Sequence, residues 1–256
     1  MPTLSAKDSK SGMIPSIEKR VRIAAIGDLH VQENAARRYG ELFREINALA
    51  DVLLLCGDLT NYGKAIEAEL LAQDVRQATI PVVALLGNHD HESGQPEVVK
   101  KHLMDAGAKV LDGGEAFEIG GIGFAGCMGA MGGFGRYMLS SFGEEPVKAF
   151  VHACVEESVK LETGLRMLRT ERAVVALHYS PIIETLEGEP IEIYPFLGNS
   201  RLGETIDRFE NVRAVFHGHA HRGTFRGQTP KGVPVYNCAR MVADAATGRQ
   251  FALIEV

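Results

Sequence analysis

Short apolar runs, each ending on glycine or a polar residue, recur along the chain from residue 21 onward. They are Ile23 to Ile26, Val52 to Leu55, Val82 to Leu86, Val174 to Leu177 and Val212 to Phe216. Unbroken runs of this length predict strands buried on both faces, as in the sheets of α/β proteins. Between them, apolar positions fall at helical spacing. Residues 34–49 place Ala35, Tyr39, Leu42, Ile46 and Leu49 on one stripe, and residues 64–78 do so with Ile66, Leu70, Leu71 and Val75. Pro96 opens a further helix that Gly107 closes, and Pro146 opens a long one reaching about Arg169. Val110-Leu111 precedes a hairpin, 116–119 and 122–125, joined by Gly120-Gly121. Strands are expected again at 173–177, 212–217, 233–237 and 250–255. No internal repeat and no long linker interrupts this order, so a single domain over 21–256 is expected, with a flexible tail over 1–20.

The residues that follow the apolar runs carry the chemistry. They read Asp28-Leu29-His30, Gly57-Asp58, Gly87-Asn88-His89-Asp90, His178, and Gly218-His219-Ala220-His221. Ligands of open α/β sheets bind beyond the carboxyl ends of the strands, so five such ends are expected to converge on one site. Imidazole and carboxylate donors without thiolate favour divalent ions of the Zn, Mn, Fe or Co kind. Asp28, His30, Asp58, Asn88, His178, His219 and His221 are more donors than one ion with open positions needs. They point instead to two ions sharing a carboxylate, as in hydrolytic two-metal sites. Each residue also has an ordinary reading. Asp28 and Asp58 could cap helices, and a lone histidine such as His178 is commonly structural. His91 and His217 flank the motifs and match no ligand position.

The order and wording of these motifs resemble the calcineurin-like metallophosphoesterase superfamily: Asp-x-His, Gly-Asp, Gly-Asn-His-Asp, a lone His, then Gly-His-x-His. All five blocks stand here in that order, between residues 28 and 221. The resemblance implies an α/β fold of two mixed sheets packed as a sandwich with helices on the outer faces. It implies that Asp28, His30 and His221 hold one metal, that Asn88, His178 and His219 hold the second, and that Asp58 bridges them. It also implies that His89 is not a ligand but a catalytic residue that stabilises the transition state and protonates the leaving group. The activity implied is hydrolysis of a phosphate monoester or diester of a small molecule by a hydroxide between two divalent ions (Mn, Fe, Zn, Ni or Co). A cyclic-nucleotide or other nucleotide phosphodiesterase is the alternative within that class. Outside it stand a non-catalytic scaffold whose metal-site face binds a partner protein, and a dinuclear hydrolase of non-phosphate bonds.

Composition narrows the partners. A formal net charge of −6 without a Lys/Arg cluster argues against broad nucleic-acid binding. No apolar stretch approaches the roughly 18 residues of a membrane span. Cys56, Cys127, Cys154 and Cys238 lack metal or disulfide spacing, and the first 20 residues lack a secretory pattern, so a cytoplasmic location is expected. Two segments, 126–143 and 181–200, are long and loop-like, and the second directly follows His178. Such loops are often functional. Arg136 and Arg201 are candidate phosphate contacts, with Met128, Phe134 or Tyr194 against the leaving group. The plainer reading is that both loops merely close an edge of the sandwich.

Overall fold

A computed structural model describes residues 20–34 and 38–256. The tail expected over 1–20 therefore falls, through residue 19, outside the described residues, as does Ala35. The strands are β1 (Arg22–Ile26), β2 (Val52–Cys56), β3 (Val82–Leu85), β4 (Lys109–Val110), β5 (Ala116–Ile119), β6 (Ile122–Cys127), β7 (Ala173–Leu177), β8 (Val212–His217), β9 (Arg226–Gln228), β10 (Pro234–Asn237) and β11 (Ala252–Glu255). The helices are α1 (Gly40–Leu49), α2 (Ala65–Val75), α3 (Pro96–Asp105), α4 (Glu145–Met167), α5 (Tyr194–Leu197), α6 (Ser200–Ile206) and α7 (Arg240–Thr247).

The strands form two mixed sheets, ordered β11-β1-β2-β3-β4 and β5-β6-β7-β8-β10-β9. Within the first, β1 to β4 run parallel and β11 antiparallel. In the second, β6, β7, β8 and β10 run parallel, flanked by antiparallel β5 and β9. Alternation along each strand explains the unbroken apolar runs, because both faces are covered. Ile23, Ala25, Leu54 and Val83 meet Phe124, Val174, Ala176 and Phe216 between the sheets. Ala24, Ile26, Leu53 and Leu55 face the other way, toward Phe43 and Ile46 of α1, Leu71 and Val75 of α2, and Val99 and Leu103 of α3. On the far side, Val175, Leu177 and Val215 pack with Leu161 and Leu165 of α4 and with Leu202 and Ile206 of α6. The result is four layers, helix on sheet on sheet on helix. No helix among the described residues is long and apolar enough to cross a membrane.

Several elements differ from the sequence pattern. Helix α1 runs from Gly40, after Tyr39, whose amide donates to Asp74 Oδ2 at 3.0 Å, and Val31 earlier in the chain donates to the Leu59 carbonyl and accepts from Asn61. Ile66, counted on the stripe of α2, points outward, and Ala68, Leu71 and Val75 are the buried face. Strand β9 is short and polar and sits on a sheet edge, so no apolar run marks it. Helix α7 buries only Val242 and Ala243 and likewise escapes the pattern. The segment 181–200 is ordered into 3₁₀ turns at Glu184–Leu186 and Ile191–Ile193 and into α5.

Candidate metal centre

The five motifs follow the carboxyl ends of β1, β2, β3, β7 and β8, and the packing of the two sheets brings those ends together. Side-chain donors of Asp28, His30, Asp58 and His221 lie within 4.8 Å of one another, and so do those of Asp58, His178 and His219. Asp58 belongs to both groups, and its two oxygens are divided between them. Its Oδ2 lies 3.9 Å from His30 Nε2, and its Oδ1 lies 3.3 Å from His178 Nε2. Asn88 joins the second group, with its Oδ1 2.9 Å from His178 Nε2. All seven ligand candidates thus come to one place.

Backbone conformation there is unusual. Asp28, His30, Asp58 and His219 adopt φ values of 59°, 44°, 51° and 69°, the left-handed region that residues with a Cβ seldom occupy. Each such residue costs on the order of 1–3 kcal/mol unless its surroundings enforce it. Here they do. Asp28 N donates to the Gly57 carbonyl and His30 N to the Asp58 carbonyl, both at 3.0 Å, while His219 N donates to both Asp28 oxygens at 3.1 Å. This left-handed backbone falls on four of the candidate ligands, and no local sequence signal announces it.

The motif glycines have a steric cause. A Cβ on Gly87 would stand 2.3 Å from both the amide nitrogen and Oδ1 of Asp58, and 2.8 Å from the His178 ring. Gly57, at φ 81°, would likewise meet His178 Nδ1 at 2.5 Å. Gly87→Ala is therefore expected to destabilise the fold by about 1–3 kcal/mol, the usual range for overpacking. Circular dichroism melting against wild type measures it, and an unchanged melting temperature would show that the loop relaxes freely.

Ring orientation is set by hydrogen bonds on the nitrogens that face away from the cluster. His178 Nδ1 sits 3.1 Å from the Cys56 carbonyl, and His219 Nε2 lies 3.2 Å from the Phe196 carbonyl. A carbonyl can only accept, so each of these nitrogens carries a proton; His219 Nδ1 is left free to ligate, whereas His178 Nε2, facing the Asn88 and Asp58 oxygens, would ligate on giving up its own proton. His89 follows the same rule: its Nδ1 donates to the Asn61 carbonyl at 2.8 Å. That leaves its Nε2 turned toward the site, 4.0 Å from Asp58 Oδ2. The His89 amide also donates to Asp58 Oδ1 at 2.8 Å.

Charge divides the imidazoles. Burial opposes protonation of His178, but Asp58, through its charge and hydrogen bond, pushes the pKa up to about 9. The hydrogen bond to Asp28 raises His221, which stands 2.9 Å from that carboxylate. Burial depresses His30, and it takes His219 down to about 4. Asp58 itself is buried, which would raise it, yet the adjoining imidazoles hold it well below the usual carboxylate range.

Other predicted contacts are placed elsewhere or only nearby. Arg136 stacks over Tyr137 and lines a cavity of about 450 Å³ with Phe134, Pro181, Ile183 and Glu204, whose walls include none of the candidate ligands. Asn199 caps α6, its Oδ1 accepting from the Arg201 amide at 3.0 Å, and the Arg201 guanidinium reaches the Leu139 carbonyl. Tyr194 and Phe134 pack against Leu186, Leu197 and Ala220, and Ala220 stands between His219 and His221. The two loop segments are stitched together, since Gly132 N donates to Pro195 O and Gly133 N to Gly198 O. Met128 serves through its carbonyl, which takes the amides of His178 and Tyr179.

Three contributors have no role assigned by the sequence pattern, although Asp90 closes the Gly87-Asn88-His89-Asp90 motif. Asp90 is fully buried and accepts from the amides of Leu59, Thr60 and Gly87 and from the Thr60 hydroxyl. It thereby ties the loop bearing Asp58 to the loop bearing Asn88. Thr185, also buried, joins Ser180 Oγ at 2.9 Å to His217 Nε2 at 2.8 Å, linking the chain after β7 to β8. The Phe196 carbonyl is the third. Asx and Ser/Thr residues form many such bonds, and the partners that join separate loops here, Leu59 and Thr60 for Asp90 and His217 for Thr185, are distant in the chain.

A four-layer sandwich with a His/Asp cluster at the ends of its central strands has the architecture of a metallophosphoesterase. The calcineurin-like phosphoesterase family model matches residues 21–223, and the chain belongs to that family. It is 23% identical over 220 residues to a 3′,5′-cyclic-nucleotide phosphodiesterase of Nostoc sp., covering 81% of this chain and 74% of that protein. It is 21% identical over 216 residues to a probable glycerophosphodiester phosphodiesterase of Arcobacter nitrofigilis, covering 78% and 71%. The fold is shared with the phosphopantetheinyl hydrolase of Mycobacterium tuberculosis, at a TM-score of 0.65 and 13% identity, over 91% of this chain and 95% of that one. TT1561 of Thermus thermophilus gives a TM-score of 0.61 at 13% identity, over 93% and 99%.

Proposed function

We propose that this chain is a two-metal phosphodiesterase acting on a small-molecule ester, with one domain over residues 21–256 carrying the activity. The observation that supports it most is the division of the Asp58 oxygens between two separate donor groups. Asp28, His30 and His221 would hold one divalent ion and Asn88, His178 and His219 the second, with Asp58 common to both. The fit to metal is supported by His30, whose two ring nitrogens are buried without a hydrogen-bond partner. An imidazole so placed is costly unless something ligates it. Imidazole, carboxylate and amide donors without thiolate suit Mn, Fe, Zn, Ni or Co. When bound, such a pair of ions supplies Lewis acidity toward phosphoryl oxygens and lowers the pKa of water.

The chain's own residues supply the rest. His89 presents Nε2 to the site while Nδ1 donates to Asn61, so its imidazolium form, protonated on both nitrogens, is suited to delivering the Nε2 proton to the leaving oxygen and ending as the neutral ring. Asn88 ligates without adding negative charge. The carbonyls of Cys56 and Phe196 fix the rings of His178 and His219 before substrate arrives, so no reorganisation is needed. Preference for a diester is supported by the curated relatives, both of which are named phosphodiesterases.

The test is reconstitution. Metal-stripped protein reloaded with Mn, Zn, Fe, Ni or Mg is assayed on bis(p-nitrophenyl) phosphate and on p-nitrophenyl phosphate in parallel. Uptake of about two ions per chain is expected, with faster turnover of the diester. Uptake without turnover of either ester would favour the partner-binding scaffold, and faster monoester turnover would overturn the diester assignment.

A further inference from the structure

We infer that the turn Ile191–Phe196 is an apolar platform at the rim of the metal centre, selecting phosphodiesters that carry an uncharged aromatic or aliphatic substituent. The inference rests on the phosphodiesterase reading above and narrows its substrate class. Its anchor is the Phe196 carbonyl, which accepts from His219 Nε2 at 3.2 Å and so fixes that residue against a candidate ligand ring. The Phe196 side chain is nevertheless 59% exposed, and Ile191 in the same turn is 73% exposed.

The exposure does not come from a loosely held segment. Gly132 N donates to Pro195 O and Ser180 N to Leu197 O. Tyr194 and Leu197 pack on Leu186 and on Ala220, between the two histidines of the last motif. Apolar side chains held in place beside a site need little further ordering when a ligand covers them, and covering them removes apolar surface from water. Charge selects the occupant further. Glu192 stands exposed in the same turn as Ile191, whereas Glu184 lines the separate cavity and Glu189 is turned onto the Arg222 amide at 2.7 Å. A carboxylate in the platform turn itself disfavours a second negative charge on the substrate beside it. The occupant that fits both features is a monoanionic diester with an apolar group, rather than a dianionic monoester or a polyphosphate.

The experiment compares two substrates with one leaving group and one charge, p-nitrophenyl phenyl phosphate and p-nitrophenyl methyl phosphate, on the metal-reloaded enzyme. Wild type is expected to favour the phenyl ester in kcat/KM by about 10-fold or more, the discrimination an apolar pocket usually gives. Phe196→Ala and Ile191→Ser are expected to bring that ratio toward one, while Phe196→Leu and Phe142→Ser, the latter at an exposed residue of the other loop, keep it. Should Phe196→Ala fail to fold, as judged by melting, the ratio for Ile191→Ser decides between the outcomes. Equal loss on both substrates would mean that Phe196 acts only by orienting His219, and would overturn the platform. So would a wild type that turns over both esters without preference. Wild type that hydrolyses neither would remove the phosphodiesterase reading itself, a distinguishable outcome.

Discussion

Asp58→Asn is expected to lower metal uptake and to reduce turnover of bis(p-nitrophenyl) phosphate by about three orders of magnitude or more. Two-metal sites supply several kcal/mol of transition-state stabilisation, and each tenfold in rate corresponds to about 1.4 kcal/mol. Asparagine keeps the shape of the side chain and an oxygen to accept from the His89 amide, so the loop geometry has reason to survive. What it removes is the negative charge that faces His30 at 3.9 Å and His178 at 3.3 Å. Elemental analysis of the reloaded variant, beside its melting curve and its rate, separates lost metal from lost fold. A variant that still binds both ions and retains a rate within about tenfold of wild type would show that Asp58 is not the shared ligand.

His89→Ala should behave differently. The proposed proton donor contributes about 10²–10⁴-fold where the leaving group is a poor one. An alkyl phosphodiester therefore loses most of its rate, and a p-nitrophenyl ester, whose leaving oxygen needs no proton, loses far less. Metal content stays unchanged, because the bond to Asp58 Oδ1 is made by the backbone amide and not by the ring. The ratio of the two losses is the informative quantity. Equal losses on both esters would falsify the role of proton donor and leave His89 as an electrostatic contact to the phosphoryl group. Unchanged rates with the alkyl ester would remove it from the reaction altogether.

The two variants divide the site between them. One strikes the group that the two donor sets have in common, and the other strikes a ring that touches neither set through its own nitrogen within bonding distance. Asp90 and Thr185 stand behind both. They hold the loops that carry the donors, and their effects would register in stability and metal affinity together.

Much of this molecule is legible along the chain. Strands covered on both faces must be apolar at every position, so Val52 to Leu55 and Val174 to Leu177 show themselves without ambiguity. The donor residues follow those runs directly, and the topology of parallel sheets directs them to one end. Less legible are the elements whose formation depends on partners. The residue before helix α1, Tyr39, is held by Asp74 of α2 through its amide, and β9 exists only because β10 pairs with it. Arg136 and Arg201 are attractive as cations on glycine-rich or acidic loops, yet their guanidinium groups find partners within those loops.

The sequence by itself determined which side chains could ligate, that they terminate strands, and which family's motifs they reproduce. Only the tertiary structure decided that Asp58 divides its oxygens between two groups, and that four candidate ligands sit in left-handed backbone. It alone decided that a carbonyl of Phe196 selects the free nitrogen of His219. The physical reason is separation: Asp28 and His219 are 191 positions apart and meet through the packing of two sheets. Local pattern reports the burial of a strand, whereas the direction of a ring nitrogen depends on whatever the fold has placed opposite it.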